Sequence, residues 1–185
     1  MKSLQTIQKT FQVFQVLTKI AMILSYVWAG LAALGILCGA VWYHGGTVVG
    51  ASRELLYSLT ETGGLLEMIG VLLTHVILAL TDGTLLVFAL RYFTAEQSDG
   101  TPFTKRGAEQ IKRLGIRTIV LPLVAAILVA TVCKIFDLPL NVCGDWSNLS
   151  GVTMGIVLIL ASLVFRYGAE LTEFEDRTNP ERGTL

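Results

Sequence analysis

The chain carries four long apolar runs, at residues 20–43, 64–90, 118–136 and 152–169, and they leave few folds open to it. A hydrocarbon core about 30 Å thick is crossed by about 20 apolar residues in a helix. In lipid an unpaired backbone N–H or C=O is so costly that runs of this kind must be helical. The composition agrees. Of 185 residues, 53% are hydrophobic and 15% charged, with a mean hydropathy of +0.65, whereas an average soluble domain is about 25% charged. The expected fold is therefore all-α: a polytopic membrane protein, a bundle of four transmembrane helices preceded by an N-terminal amphipathic helix. The first run exceeds the roughly 7–15 residues of a signal-peptide core. Ile36 and Leu37 precede Cys38, where a lipoprotein cleavage site needs small residues. The run reads as a retained span.

Residues 1–19 read as a cytoplasmic amphipathic segment. Leu4, Ile7, Phe11 and Phe14 recur at helical spacing, and Gln5, Gln8, Gln12 and Gln15 line the opposite stripe. Such a helix lies on the membrane surface or extends the first span. Residues 20–169 then form the four-span domain, and 170–185 an acidic cytoplasmic tail.

The net charge of zero conceals a one-sided distribution. Lys2, Lys9, Lys19, Arg91, Lys105, Arg106, Lys112, Arg113, Arg117, Arg166, Arg177 and Arg182 fall on one side of the four runs. Only Arg53 and Lys134 fall on the other. The positive-inside rule places the twelve in the cytoplasm, with both chain ends. On the outer side, Leu55, Leu56 and Leu59 beside Arg53 and Glu54 predict a short surface helix, while Pro139, Asn141, Gly144 and Asp145 read as turns. Cys133 and Cys143 flank much of this second outer loop, where a disulfide persists, and they are the candidate bridge.

Within the spans, Gly35 and Gly39 form a G-x-x-x-G, and Ser25, Ala29 and Ala33 continue the small residues. Small residues let helices approach closely in lipid, here within one chain or across a dimer. Pro122 removes one backbone hydrogen bond from the third span and should bend it.

Two stretches carry a resemblance. One is Gly100-Thr101-Pro102-Phe103-Thr104, followed by Ile111, Leu114, Gly115 and Ile116. The other is Phe165-Arg166-Tyr167-Gly168-Ala169-Glu170-Leu171, then Glu173, Asp176 and Thr178. Together they resemble the bacterial four-helix membrane proteins grouped as domain of unknown function 2975, well over the C-terminal half and by hydropathy alone over the first two spans. The Lys105-Arg106 pair and the polar second span depart from that pattern. The family has no established activity. Its members are often encoded beside a small helix-turn-helix regulator, so the resemblance implies a regulatory or accessory role. On physical grounds alone, Gly100 and Pro102 make a tight turn and Thr104 is an N-cap for the next helix.

The second span holds Glu67, His75 and Asp82, with Thr74, Thr81 and Thr84. At 100° per residue, Glu67 and His75 differ by about 80°, and Asp82 lies about 20° back, so the three share one quadrant. Ionisable groups this deep are expensive and face partners or water. They form either a proton or cation path, with Gly83 letting the helix open locally, or a set of individually satisfied groups. Arg166 near the end of the fourth span reaches the headgroups, or pairs with Asp82 if the helices are offset in depth.

Catalysis is not expected: no nucleophile stands with a base, and His44 and His75 lie at different depths. No metal or cofactor is expected either, since neither CxxC nor HExxH occurs. Nothing basic and aromatic is laid out for direct nucleic-acid binding. The reading from sequence is a bacterial inner-membrane protein acting by contact, as a regulatory, sensory or accessory subunit. Its partners are the lipid bilayer and a small cytoplasmic protein such as a helix-turn-helix regulator. The alternative is a homo-oligomeric channel or transporter using the polar stripe of the second span.

Overall fold

A computed structural model of the chain describes residues 2–46, 48, 53–99, 105–138 and 150–178. Five helices account for nearly all of these. They are α1 (Lys2–Tyr43), α2 (Arg53–Thr60), α3 (Leu65–Asp99), α4 (Lys105–Ile135) and α5 (Ser150–Thr178). Four contain a stretch long and apolar enough to cross a bilayer: Gln12–Tyr43, Leu65–Ala95, Arg106–Ile135 and Val152–Leu171. The protein is a multi-pass, all-helical membrane protein. The burial pattern supports the same conclusion independently. Only 17–28% of each span is buried within the protein, and Leu24, Leu37, Ile127, Leu160 and Val164 are among many large apolar side chains left more than half exposed. A monomer in water rarely exposes contiguous apolar patches beyond a few hundred Å²; lipid is the solvent that suits this surface.

Each helix outruns its apolar run. The amphipathic segment is no separate element, because α1 continues without a break for 42 residues, about 63 Å at 1.5 Å per residue. Likewise α3 runs on past Leu90, α4 begins well before Thr118 and passes through Pro122, and α5 continues past Ala169 to Thr178. The short helix expected between the first two runs is α2, on which Leu55 and Leu59 are both exposed.

Three helices end in the same way. Gly45, Glu61 and Asp137 adopt left-handed φ values of 78°, 52° and 51°. The next residue's N–H then reaches back five positions, from Gly46 to Val41 (3.0 Å), Thr62 to Tyr57 (3.1 Å) and Leu138 to Cys133 (2.9 Å). This is the Schellman arrangement, which satisfies carbonyls that a helix end leaves orphaned. At the end of α4 it also turns Leu138 inward, where Leu138 is 7% exposed and packs with Val71, Val129 and Cys133. At the start of α3 the Glu67 carboxylate accepts the Gly63 N–H at 3.0 Å, a local variant of the capping box.

The contacts divide the chain into two compact units. One comprises Ile20–Thr84 and Leu121–Asn148. In it the small residues of α1 form the seam with α3. Ala29, Ala32, Gly35 and Gly39 are buried, and the Ser25 hydroxyl donates to the Ala79 carbonyl at 2.6 Å. A Cβ placed on Gly35 would lie 2.9 Å from Leu72 Cδ1, and one on Gly39 would lie 3.0 Å from Ile69 Cγ1 and Met68 Cε. The G-x-x-x-G therefore packs within the chain. Ala33, expected in this seam, is exposed, and Ala32 takes its place, one residue from where strict four-residue spacing put it. Trp42 is 6% exposed, while Tyr43 beside it points outward.

The other unit comprises Met1–Lys19, Leu85–Val120 and Leu149–Leu185. Within it, α4 and α5 cross closely at a pair of glycines. A Cβ on Gly115 would lie 2.9 Å from the Gly155 carbonyl oxygen, and one on Gly155 would lie 2.8 Å from that of Gly115. Ala108, Ile111, Ser162 and Ala169 are buried along the same two helices. In this unit Gln15 also donates to the Thr94 hydroxyl at 3.2 Å, joining α1 to α3.

Candidate functional site

The polar residues of the second span share a quadrant of α3 but not an environment. Glu67 is committed to capping the helix start. His75 Nδ1 lies 2.9 Å from the Val71 carbonyl of its own helix. A carbonyl only accepts, so that nitrogen carries the hydrogen and Nε2 of the neutral ring carries the lone pair. The imidazole stands 6.2 Å from the Trp28 ring of α1, tilted at 58°. Thr74, Thr81 and Thr84 each donate to a carbonyl one turn back, on Val71, Ile77 and Leu80 at 2.7–2.8 Å. Their hydroxyls are thus satisfied inside α3 rather than presented to a path. Gly83 was a candidate point of helix opening, but α3 is continuous there. The missing Cβ admits the Tyr26 ring, whose Cζ would lie 3.0 Å away. Asp82 differs from its neighbours. It is exposed, and among the described residues no hydrogen bond or ion pair reaches its carboxylate.

Arg166 is bound locally rather than to Asp82: its Nε donates to Glu170 Oε1 at 3.1 Å, one turn along α5. On α4, Arg113 donates to Glu109 Oε1 at 2.8 Å in the same i,i+4 relation. These two pairs face a groove of about 630 Å³ between α4 and α5, lined also by Ala108, Lys112, Ile116 and Ser162. Both pairs are well exposed, so solvent screening leaves each worth little to stability. Their value is chemical, since they set alternating charge along a groove floored by small and apolar side chains.

Past the apolar run of α5, Tyr167, Leu171 and Phe174 fall at i, i+4 and i+7 and are 66%, 50% and 67% exposed. They form an apolar edge on the helix that carries Glu170, Glu173, Glu175 and Asp176.

Of the motif positions, Gly115 is at the α4–α5 crossing and Gly168 is half-buried on α5. Gly100, Pro102, Phe103 and Thr104 lie outside the described residues. Cys133 is disulfide-bonded and buried, and Cys38 is a free thiol; Cys143 lies outside the described residues. Among those described, no group of three or more His, Cys, Asp and Glu gathers as metal ligands would.

Sequence reasoning counted Arg91 and Arg117 only as topology signals. The structure stacks the Arg117 guanidinium over the Phe88 ring at 3.8 Å, and Arg91 lines the same cavity of about 180 Å³ as Arg113 and Arg117. The signal was present as F-x-x-R-Y on α3 and Q-x-x-R-L-x-x-R on α4, two one-faced patterns at helical spacing.

Compared with known proteins, the chain matches no family model, no curated protein sequence and no solved structure. Fold and site together define a class, the four-span helical membrane proteins, and function must be argued from the chain's own chemistry.

Proposed function

We propose that this protein acts by contact in the bacterial cytoplasmic membrane, with both ends in the cytoplasm, as a regulatory, sensory or accessory subunit. It is related on this reading to the family of unknown function whose motifs it resembles. The observation that carries the reading is the end of α5. An acidic helix with an exposed Tyr167–Leu171–Phe174 edge suits a small cytoplasmic protein that presents an apolar groove rimmed by Lys and Arg. The groove between α4 and α5, with its alternating Glu109, Arg113, Arg166 and Glu170, adds a polar surface on the same unit. A helix-turn-helix regulator has the required basic character, and the resemblance implies such a neighbour.

Crosslinking in native membranes tests this. The full chain should capture one specific small protein, and capture should weaken as salt rises, because exposed charges are screened. A chain truncated after Tyr167 that still inserts should capture nothing. Capture of nothing beyond copies of itself by both forms would reject the reading.

A second reading, an oligomeric channel or transporter, draws on Asp82. A carboxylate exposed on a span costs about 2.5–3.5 kcal/mol on insertion scales unless something meets it, and a neighbouring copy of the chain is one way to meet it. A symmetric oligomer in native-state mass measurements would favour this reading, and a monomer would dismiss it.

A further inference from the structure

We propose that the cavity between α3 and α4 is a binding site for a phosphate group, with an anionic phospholipid headgroup as its favoured source. The inference is independent of the contact reading above. The cavity, about 180 Å³, is lined by Phe88, Arg91 and Tyr92 of α3 and by Gln110, Arg113, Leu114 and Arg117 of α4. On α3 these positions are i, i+3 and i+4, and on α4 they are i, i+3, i+4 and i+7. Each helix therefore turns one face to the cavity. Three arginines line it, and among the described residues no carboxylate does.

The geometry prepares those cations for an oxyanion. Arg117 lies with its guanidinium carbon 3.8 Å from the centre of the Phe88 ring. A ring beneath the plane leaves the in-plane N–H edges open and holds the fork in place. Arg113 gives one N–H to Glu109, which fixes it and leaves further donors of its five. Among the described residues, Arg91 has no carboxylate within ion-pair distance. Gln110 adds an amide that donates to a phosphoryl oxygen. The cavity holds roughly six water volumes at about 30 Å³ each, room for a phosphate and its remaining hydration.

The position along the helices favours a lipid. Arg91 is the first residue after the apolar run of α3, and Arg117 the last before that of α4. Phosphodiesters of a bilayer lie just outside the hydrocarbon, at this level. Three arginines lining one cavity exceed what the positive-inside rule requires, which is served by cations anywhere in a loop.

The test uses the full chain in nanodiscs of phosphatidylcholine, with or without phosphatidylglycerol, and with or without inorganic phosphate. Lipid retention is read by native mass spectrometry and stability by thermal shift. One retained phosphatidylglycerol per chain, with a raised Tm, assigns the lipid source. A raised Tm with inorganic phosphate in phosphatidylcholine discs assigns a free phosphate. Binding of neither overturns the proposal. The double variant Arg91→Gln/Arg117→Gln should weaken binding at least about tenfold, at about one Arg's worth of headgroup attraction per site. Arg106→Gln/Lys112→Gln, which removes the same charge outside the cavity, should leave it unchanged. Equal losses in the two pairs would reduce the effect to general surface charge and overturn the site. Should the first pair fail to insert, Phe88→Leu keeps every charge and removes the ring under Arg117. That variant should bind several-fold more weakly, and unchanged binding overturns the proposal.

Discussion

Replacing Gly115 by alanine tests the packing on which the α4–α5 surface depends. The new Cβ would sit 2.9 Å from the Gly155 carbonyl oxygen, 2.9 Å from Ile159 Cγ1 and 3.2 Å from the Ile159 nitrogen. Two of these neighbours are backbone atoms, which cannot rotate away, so the helices must separate. Overpacking of this kind costs about 1–3 kcal/mol, with the upper half expected where backbone is the obstacle. Alanine is the better helix former by about 1 kcal/mol, leaving a net loss of about 1–2 kcal/mol. Gly30 supplies the control. It also lies mid-helix, but nothing stands within 4 Å of an added Cβ, so Gly30→Ala should gain up to about 1 kcal/mol. Unfolding measured by steric trapping in bicelles should therefore separate the two variants by about 2–3 kcal/mol. If Gly115→Ala equals or exceeds the parent, the crossing is not the tight contact described.

Cys133 is bonded and Cys38 is free, and the bridge expected from sequence pairs Cys133 with Cys143. Peptide mapping without reductant should recover that pair, and reduction should cost about 3 kcal/mol on the loop-entropy account; an alkylatable Cys133 would contradict it. On the contact reading, Asp82→Leu should leave partner capture intact and stabilise the chain, because an exposed carboxylate without a described partner is removed from the span. Loss of an oligomer in Asp82→Leu but not in Asp82→Asn would instead move the channel reading ahead.

The architecture was legible because length and apolarity decide it in lipid: the four runs each became a helix long and apolar enough to span, and the Leu-rich segment after the first became α2. A hydropathy run stops at the headgroups while backbone hydrogen bonding does not, so the helices outrun their runs. Extension of the first span through the Gln-striped segment and the start of α4 after the expected N-cap at Thr104 were legible in the sequence, whereas the continuation of α3 past Leu90 to Asp99 was not. The polar stripe of α3 was read from angle alone. Angle places Glu67, His75 and Asp82 together, but the neighbours at each depth decide what each one does. Glu67 meets a helix start, His75 meets Trp28, and Asp82 meets none of the described groups. Gly83 and Gly115 were visible as small residues, whereas the side chain or backbone that fills each missing Cβ comes from a distant segment. The Arg91, Arg113 and Arg117 set lies on two helices whose facing no single-helix pattern reveals.

Contact with a cytoplasmic partner requires the end of α5 and the connection between α3 and α4 to share the cytoplasmic side. That is tested most directly by single cysteines at Ser98, Asn148 and Phe174, in a chain whose native cysteines are replaced by serine. With an impermeant thiol reagent on intact cells, Asn148 should label, and Ser98 and Phe174 should label only after the cells are opened. The opposite pattern, or labelling of Ser98 and Phe174 from opposite sides, would contradict the account.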